Sequence, residues 1–426
     1  MKNREVLSTL FIGIDVSSKM NDICVIDFDE TRYLEASITN NQPGAVSLAE
    51  KLASIMTTHP EFTRMVIALE STASYSTHIA TFLSSTEILM PFKPFVYCLN
   101  PKTVANYKKS YVSVGKSDPI DSFMLADFAR VGRIKSEPWR GSQFLALQRL
   151  TRHRLHLVEA ITREKSYMLS NIFLKFSELA VLPKDESPFC NNYGATSAAV
   201  LTEFLSPEEI VSIPSAELVE FICKKSKNSF ADPQLVAKLL KQAAVNSYKL
   251  DKCLYEPLTI SIASSFNCIS AFESEVKKLN KAIERAIKGF NTNEYQSLLS
   301  IPGMGPVLSS GILAEIGSVK AFPSHESIAK YAGIVWNPNQ SGNFSAEESK
   351  MSKAGNRYLR YYLIEAANSV KNHAPIYTDF YHKKFNEVTK HQHKRALALT
   401  SRKLIRLIFG LLDNNQLYSN TVEQKN

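Results

Sequence analysis

The sequence predicts an α/β domain with a mixed sheet, followed by a long helical remainder. Three observations carry that reading. Compact apolar runs bounded by turn signals recur over roughly the first 135 residues, with amphipathic stretches between them. From about residue 143 onward the apolar residues recur at helical spacing. A hydrophobic content of 44% against 21% charged residues describes a globular chain with ample core.

TLFIGIDV (9–16) reads as a compact apolar strand. NDICVIDF (21–28) and RYLEASIT (32–39) are two more, joined across Asp29-Glu30 as a hairpin. PGAVSLAEKLASIM (43–56) has the apolar stripe of an amphipathic helix, and RMVIALES (64–71) is a second buried strand. STHIATFLSS (76–85) is helical, KPFVYCLN (93–100) is a strand, and PKTVANYKK (101–109) is a short basic helix. A further helix starts at Asp118. Asp118 is a good cap, Pro119 suits the first helical position, and Asp121 places a negative charge in the first turn. The order β-β-β-α-β-α-β-α implies a mixed sheet covered by helices.

Residues 143–180 form one long helical pattern and 270–289 a second. Two such helices can pair as an antiparallel coiled coil. Between them, 185–268 is helical in character with turn signals at SPEE, SIPS and ADPQ. A last region opens near 293 with YQSLLSIPGMGPVLSSGILAEIG, helix–turn–helix. Gly303 and Gly305 in that turn suit either a helix-hairpin-helix contact to a phosphate or a plain αα-hairpin. Helix SHESIAKYAG, the long loop IVWNPNQSGNFSAEESKMSKAGN and helix RYLRYYLIEAANSVKN follow, and long loops inside compact domains are often functional. The expected domains are 1–140, 141–290, 291–410 and a polar tail, 411–426.

Net charge is +9 and the isoelectric point about 9.0. Over 350–406 only Glu365, Asp379 and Glu387 oppose a run of lysines and arginines, so this region is either a phosphate-binding surface or a solvated helix face. No apolar run is long enough for a membrane span, and the amino terminus lacks the cleavage site of a signal peptide. The six cysteines are scattered without a C-x-x-C pair, which favours a reducing, cytoplasmic setting over a disulfide framework or a zinc site. His391 and His393 have no partners at ligand spacing and read as part of a basic helix face.

The acids are more specific. Asp15 interrupts an otherwise apolar strand, where a carboxylate is costly unless paired or bound to a cation. Glu70 ends the second buried strand. Asp118 and Asp121 share one helix face at i and i+3. Singly, each has an ordinary reading as a cap, a turn residue or a solvated charge. Jointly they form the oxygen donor set that divalent metals use in phosphodiester chemistry.

The phrases GIDVSSK, ALES, LNP and GKSDPIDS resemble the transposases of the IS one-ten insertion-sequence family, and the order of the acids resembles an RNase H-like (RuvC-like) nuclease domain. LLSIPGMGP, KYAGIVWNPNQSGNF and MSKAGNRYLR are similar to that family's second, transposase domain. The resemblance covers roughly 8–135 and 293–375 and transfers nothing to 185–268. It implies that Asp15, Glu70, Asp118 and Asp121 hold Mg²⁺. It implies a serine nucleophile that forms a phosphoserine link to DNA, with Ser341 the candidate and Ser345, Ser349 and Ser352 its rivals. It also implies donor and target DNA, a structured guide RNA, and a homo-oligomer (dimer or tetramer) in which the acids of one protomer meet the serine of another. The setting would be the bacterial cytoplasm, at the nucleoid. Lys353, Arg357 and Arg360 lie beside the serine loop at helix-compatible spacing and suit phosphate contacts. Three other readings remain: a structure-selective nuclease using water, a nucleic-acid-binding protein with a decayed site, and an actin-like sugar kinase. The last needs a second phosphate loop and a glycine-rich adenosine motif, and neither is present.

Overall fold

A computed structural model describes residues 3–71, 74–109, 111, 118–134, 138–183, 185–290, 293–336, 340–341, 344–345 and 351–419. After a short helix α1 (Asn3–Leu7), the chain builds β1 (Thr9–Val16), β2 (Met20–Ile26), β3 (Arg32–Thr39), α2 (Gln42–Thr58), β4 (Arg64–Glu70), α3 (Tyr75–Ser85), β5 (Phe95–Leu99), α4 (Pro101–Lys108) and α5 (Asp118–Arg130). The strands form one sheet in the order β3-β2-β1-β4-β5. The β1–β2 and β2–β3 pairs are antiparallel, and the β1–β4 and β4–β5 pairs are parallel. The mixed sheet expected from the sequence is therefore present.

Strand residues alternate between faces, and here the alternation separates two cores. Leu10, Ile12, Ile14 and Val16 of β1 join Met65, Ile67 and Leu69 of β4 under α2 and α3. Phe11 joins Cys24, Ile26, Val66 and Ala68 under α5, through Leu125, Ala126 and Ala129. Full burial of one such aliphatic side chain contributes about 1.5–3 kcal/mol. Gly13 lies on the α5 side. A Cβ there would fall 1.9 Å from the Ser122 carbonyl oxygen and 2.4 Å from the Ala126 nitrogen, so α5 lies directly on β1 because this residue has no side chain.

Residues 149–289 form a compact unit of their own, and 1–148 with 290–426 form the other. The helices that serve the middle unit are α6 (Ser142–Lys175), α7 (Ser177–Val181), α8 (Ala195–Glu203), α9 (Pro207–Ser212), α10 (Ser215–Ser226), α11 (Pro233–Asn246) and α12 (Lys252–Lys288). The unit has its own core, in which Met168 and Ile172 of α6 meet Leu218, Ile222, Leu240 and Ile262. Arg154 bonds Asn280, Lys165 bonds Glu273, and Ser265 bonds Glu164, so α6 and α12 run antiparallel. The structure differs from the sequence reading at two points. The long helical pattern breaks at Phe176, where the backbone leaves helical angles. And α12 begins at Lys252 rather than near 270. Pro257 reads as a breaker, yet this close to the helix start its ring removes only one interior hydrogen bond.

The last region carries α13 (Asn293–Leu299), α14 (Pro306–Ile316), α15 (His325–Ala332), a two-stranded hairpin of β6 (Gln340–Ser341) and β7 (Phe344–Ser345), α16 (Arg357–Val370), α17 (Pro375–Asn386) and α18 (Gln392–Asp413). It joins the sheet-bearing part through Arg140, whose guanidinium lies over Gly317 and donates to the Ile316 carbonyl, and through Gln148, which donates to the Ala314 carbonyl at 3.3 Å. Among the described residues no helix is long and apolar enough to cross a membrane.

Candidate functional site

The acids are placed by sheet register. Ile14 pairs with Leu69, so Asp15 and Glu70 are the next positions at the carboxyl ends of two adjacent parallel strands. By alternation both lie on the face that carries Phe11, Val66, Ala68 and α5. Carboxyl ends of parallel strands are where open α/β sheets place their ligands. The close approach at Gly13 brings the first turn of α5, with Asp118 and Asp121, to this end of the sheet. The Asp118 side chain lies outside the described residues; its backbone opens α5.

Two residues at this end were not singled out by sequence. Asp22 of β2 is the direct antiparallel partner of Asp15 and shares its face. Lys108, the last residue of α4, forms an ion pair with Asp121 at 2.9 Å. Burial raises the pKa of Glu70; the Lys108 ammonium lowers it and the Asp121 carboxylate raises it further. Asp121, Glu70 and Lys108 therefore share one electrostatic environment. Among the described residues no three His, Cys, Asp or Glu side chains stand close enough to hold a metal ion. The chemistry of the donor set nevertheless fits a hard divalent cation: all donors are carboxylate oxygens, they occupy one end of one face, and the site already attracts a cation, the Lys108 ammonium.

Behind these acids α4 and α5 are fastened together. Asp127 is 1% exposed and accepts hydrogen bonds from the Tyr107 and Tyr111 hydroxyls and from Arg130 Nε at 2.8 Å. These donors hold its carboxyl below the usual range against the opposing effect of burial. Arg130 also reaches Glu30 and the Phe28 carbonyl, which ties the helix to the β2–β3 turn.

Ser341 lies on β6, opposite Phe344 of β7. The side chains of Ser341 and Ser345 and the whole of Ser349 fall outside the described residues. Ser352 is half-buried: its amide donates to Val335 at 2.8 Å and its hydroxyl accepts from Ala354. The root of this loop is firmly anchored. Trp336 bridges Met351, and the Lys353 and Asn356 amides donate to the Gly333 and Tyr331 carbonyls. Asn356 caps α16 by accepting from the Tyr358 and Leu359 amides, and its amide group donates to buried Glu315 at 2.8 Å. Asn356 lies within MSKAGNRYLR, but nothing in the sequence marks its bond to Glu315, which arises only from packing.

The expected nucleic-acid contacts divide. Arg360 donates to the Ala332 and Lys353 carbonyls at 2.8 and 2.9 Å, and so braces the loop root. Lys353 and Arg357 are exposed. Gly303 has φ +87° and packs against Ser369 and Val370 of α16, with its carbonyl accepting from the Ser369 hydroxyl. Gly305, at the start of α14, faces open space. The Gly303 turn thus meets the requirement of helix packing, and Gly305 is the glycine that an outside group can approach. His393 meets the Tyr381 hydroxyl at 2.7 Å.

Two family models match the chain. Residues 12–175 match the DEDD-type IS110 family model described as transposase, and residues 295–382 match one described as transposase of the IS116/IS110/IS902 family. The chain is 25% identical to the insertion element IS900 uncharacterized 42 kDa protein of Mycobacterium paratuberculosis, over 96% of this chain and 97% of that one. It is 22% identical to the insertion element IS116 uncharacterized 44.8 kDa protein of Streptomyces clavuligerus, over 96% of each. A shorter match, 29% identical over 30% of this chain and 31% of the other, is to the transposase for insertion sequence element IS1111A of Coxiella burnetii.

Proposed function

Because the chain belongs to the IS110 family of insertion-sequence transposases, we propose that it cuts and rejoins DNA strands with two sets of groups, the acids of the sheet and a serine of the β6–β7 hairpin. The observation that carries this reading is the placement of Asp15 and Glu70 at adjacent strand ends on the face where α5 delivers Asp121. The sheet order, with one antiparallel and one parallel flank around β1, supports an RNase H-like domain. The antiparallel α6–α12 pair supports a coiled coil within the chain, and we take it as the element through which subunits would meet.

Asp15, Glu70, Asp118 and Asp121 would hold the divalent metal; their oxygen donors suit a hard cation, and the family resemblance implies Mg²⁺. When bound, that ion supplies positive charge to the phosphate oxygens. The Ser341 hydroxyl attacks the phosphorus. Its proton leaves, a phosphoserine ester forms, and one deoxyribose oxygen departs as a hydroxyl. Attack by a hydroxyl of another strand reverses the step, so the broken bond is conserved without ATP. The loop root on either side of that hairpin is anchored, and Lys353 and Arg357 beside it are exposed and suit phosphate contacts. A structured guide RNA would select donor and target, and a dimer or tetramer would combine acids and serine from different protomers in the bacterial cytoplasm.

The test is a denaturing gel of the full chain with cognate DNA. Wild type should give a denaturation-resistant protein–DNA adduct, Ser341→Ala none, and Asp15→Ala neither adduct nor cleavage. Cleavage that persists in Ser341→Ala without any adduct would make water the nucleophile instead.

A further inference from the structure

The acids at the sheet end already have a cation. Lys108 Nζ lies 2.9 Å from Asp121 Oδ1, and the two side chains are 27% and 16% exposed, so the pair is largely shielded from solvent. The lysine is not a loose surface group that happens to touch an acid. It ends α4, where positive charge suits the helix dipole. Its neighbour Tyr107 is fixed to buried Asp127 of α5, and Tyr111, one turn further along the chain, is fixed to the same carboxylate. The helix that carries Lys108 is thus secured to the helix that carries Asp121. The same ammonium also acts on Glu70.

We propose that Lys108 is a positioning residue: it is the resident counter-cation of the acid cluster, holds Asp121, and competes with a divalent ion for that carboxylate. This rests on the reading of the acids as metal ligands given above. The physical argument is competition. The ammonium takes one of the lone-pair sites of the Asp121 carboxylate, and a second cation at the same carboxylate is repelled by it. The displaced ammonium has a flexible stem and faces partly outward, so it can turn to a DNA phosphate. Metal loading and phosphate contact would then be coupled through one side chain.

The experiment measures Mn²⁺ binding directly, by loss of the free-ion electron paramagnetic resonance signal, on the full-length chain without nucleic acid. Lys108→Met should bind Mn²⁺ more tightly than wild type, on the order of tenfold, the size expected when a neighbouring like charge is removed. Lys108→Arg, which keeps the charge, should stay near wild type. Asp121→Asn added to Lys108→Met should abolish the gain. Circular dichroism of each variant confirms that the fold is retained. If wild type binds Mn²⁺ and Lys108→Met binds it equally or less well, the proposal fails and the metal reading stands. If neither binds, the metal reading fails and the proposal with it.

Discussion

The two faces of the central sheet use the same strands in opposite ways. On the α2–α3 face β1 presents Leu10, Ile12, Ile14 and Val16, all buried and all aliphatic. On the α5 face the intervening residues are Phe11, Gly13 and Asp15: one packs, one makes room, and one carries charge. The first face resembles the interior of any α/β protein, where interchangeable apolar residues fill volume. The second is ordered along the strand, from packing at one end to chemistry at the other. The close contact at Gly13 fixes where the change occurs. A strand can therefore place carboxylates at the sheet end without weakening the core, provided the chemistry is confined to alternate residues.

The largest test of that difference is Gly13→Val. Its side chain would strike the Ser122 carbonyl and the Ala126 backbone, which cannot rotate away. It should destabilise the chain by about 3 kcal/mol in a denaturant titration and abolish strand cleavage, because α5 carries two of the acids. A chain that stays as stable and as active as wild type would refute the close helix–strand contact. On the other face, Ile12→Val should cost about 1 kcal/mol and leave cleavage per folded molecule unchanged; a loss of cleavage beyond the loss of folded protein would mean that the faces are not independent. The smallest expected effect is the pH response of Glu70. Its pKa is raised in the folded chain by burial and by Asp121, so the native state binds the proton more readily than the unfolded state. Stability from this group is greatest below the unfolded value, about 4.3, and falls as pH rises through the raised one. Glu70→Gln should remove that slope and slightly stabilise the metal-free chain at neutral pH. A thermal-melting series across pH 4–7 with identical slopes in both proteins would contradict it.

Much of the sheet was legible because its strands are short apolar runs with clear ends, and because β1 and β4 end in acids that an apolar strand does not otherwise tolerate. Asp15 and Glu70 stood out for that reason, and Asp118 and Asp121 because their i, i+3 spacing on one helix face completed the donor set. What the sequence could not show was that Asp15 and Glu70 share a face, since that depends on β4 joining β1 in parallel at a particular register. Asp22 and Lys108 were missed because neither is unusual in its own segment: one is a strand aspartate beside a hairpin, the other a lysine at a helix end. Asn356 and Glu315 were missed for the same reason, as their contact spans two helices. Arg360 was read as a phosphate clamp from charge and spacing, and only the fold reveals the carbonyls it serves. The start of α12 and the short helices of residues 195–246 lie in a stretch that reads only as helical in character, because turn signals punctuate each turn or two. Ser341 was legible only through resemblance, because a serine in a polar loop carries no chemical signal.

One feature of the chain's layout bears on its biosynthesis. The sheet, α5 and their acids are complete in the first 148 residues, whereas the β6–β7 hairpin and its anchoring residues belong to the stretch after 290. The acid-bearing sheet therefore leaves the ribosome well before residues 290–426, which belong to the same compact unit, have been translated. The serine hairpin gains its anchors only after Asn356 and α16 have followed it out of the exit tunnel. A prematurely terminated product would hold one half of the proposed strand-transfer apparatus and lack the other, along with the basic stretch 350–406, so truncated copies of this protein are expected not to join DNA strands.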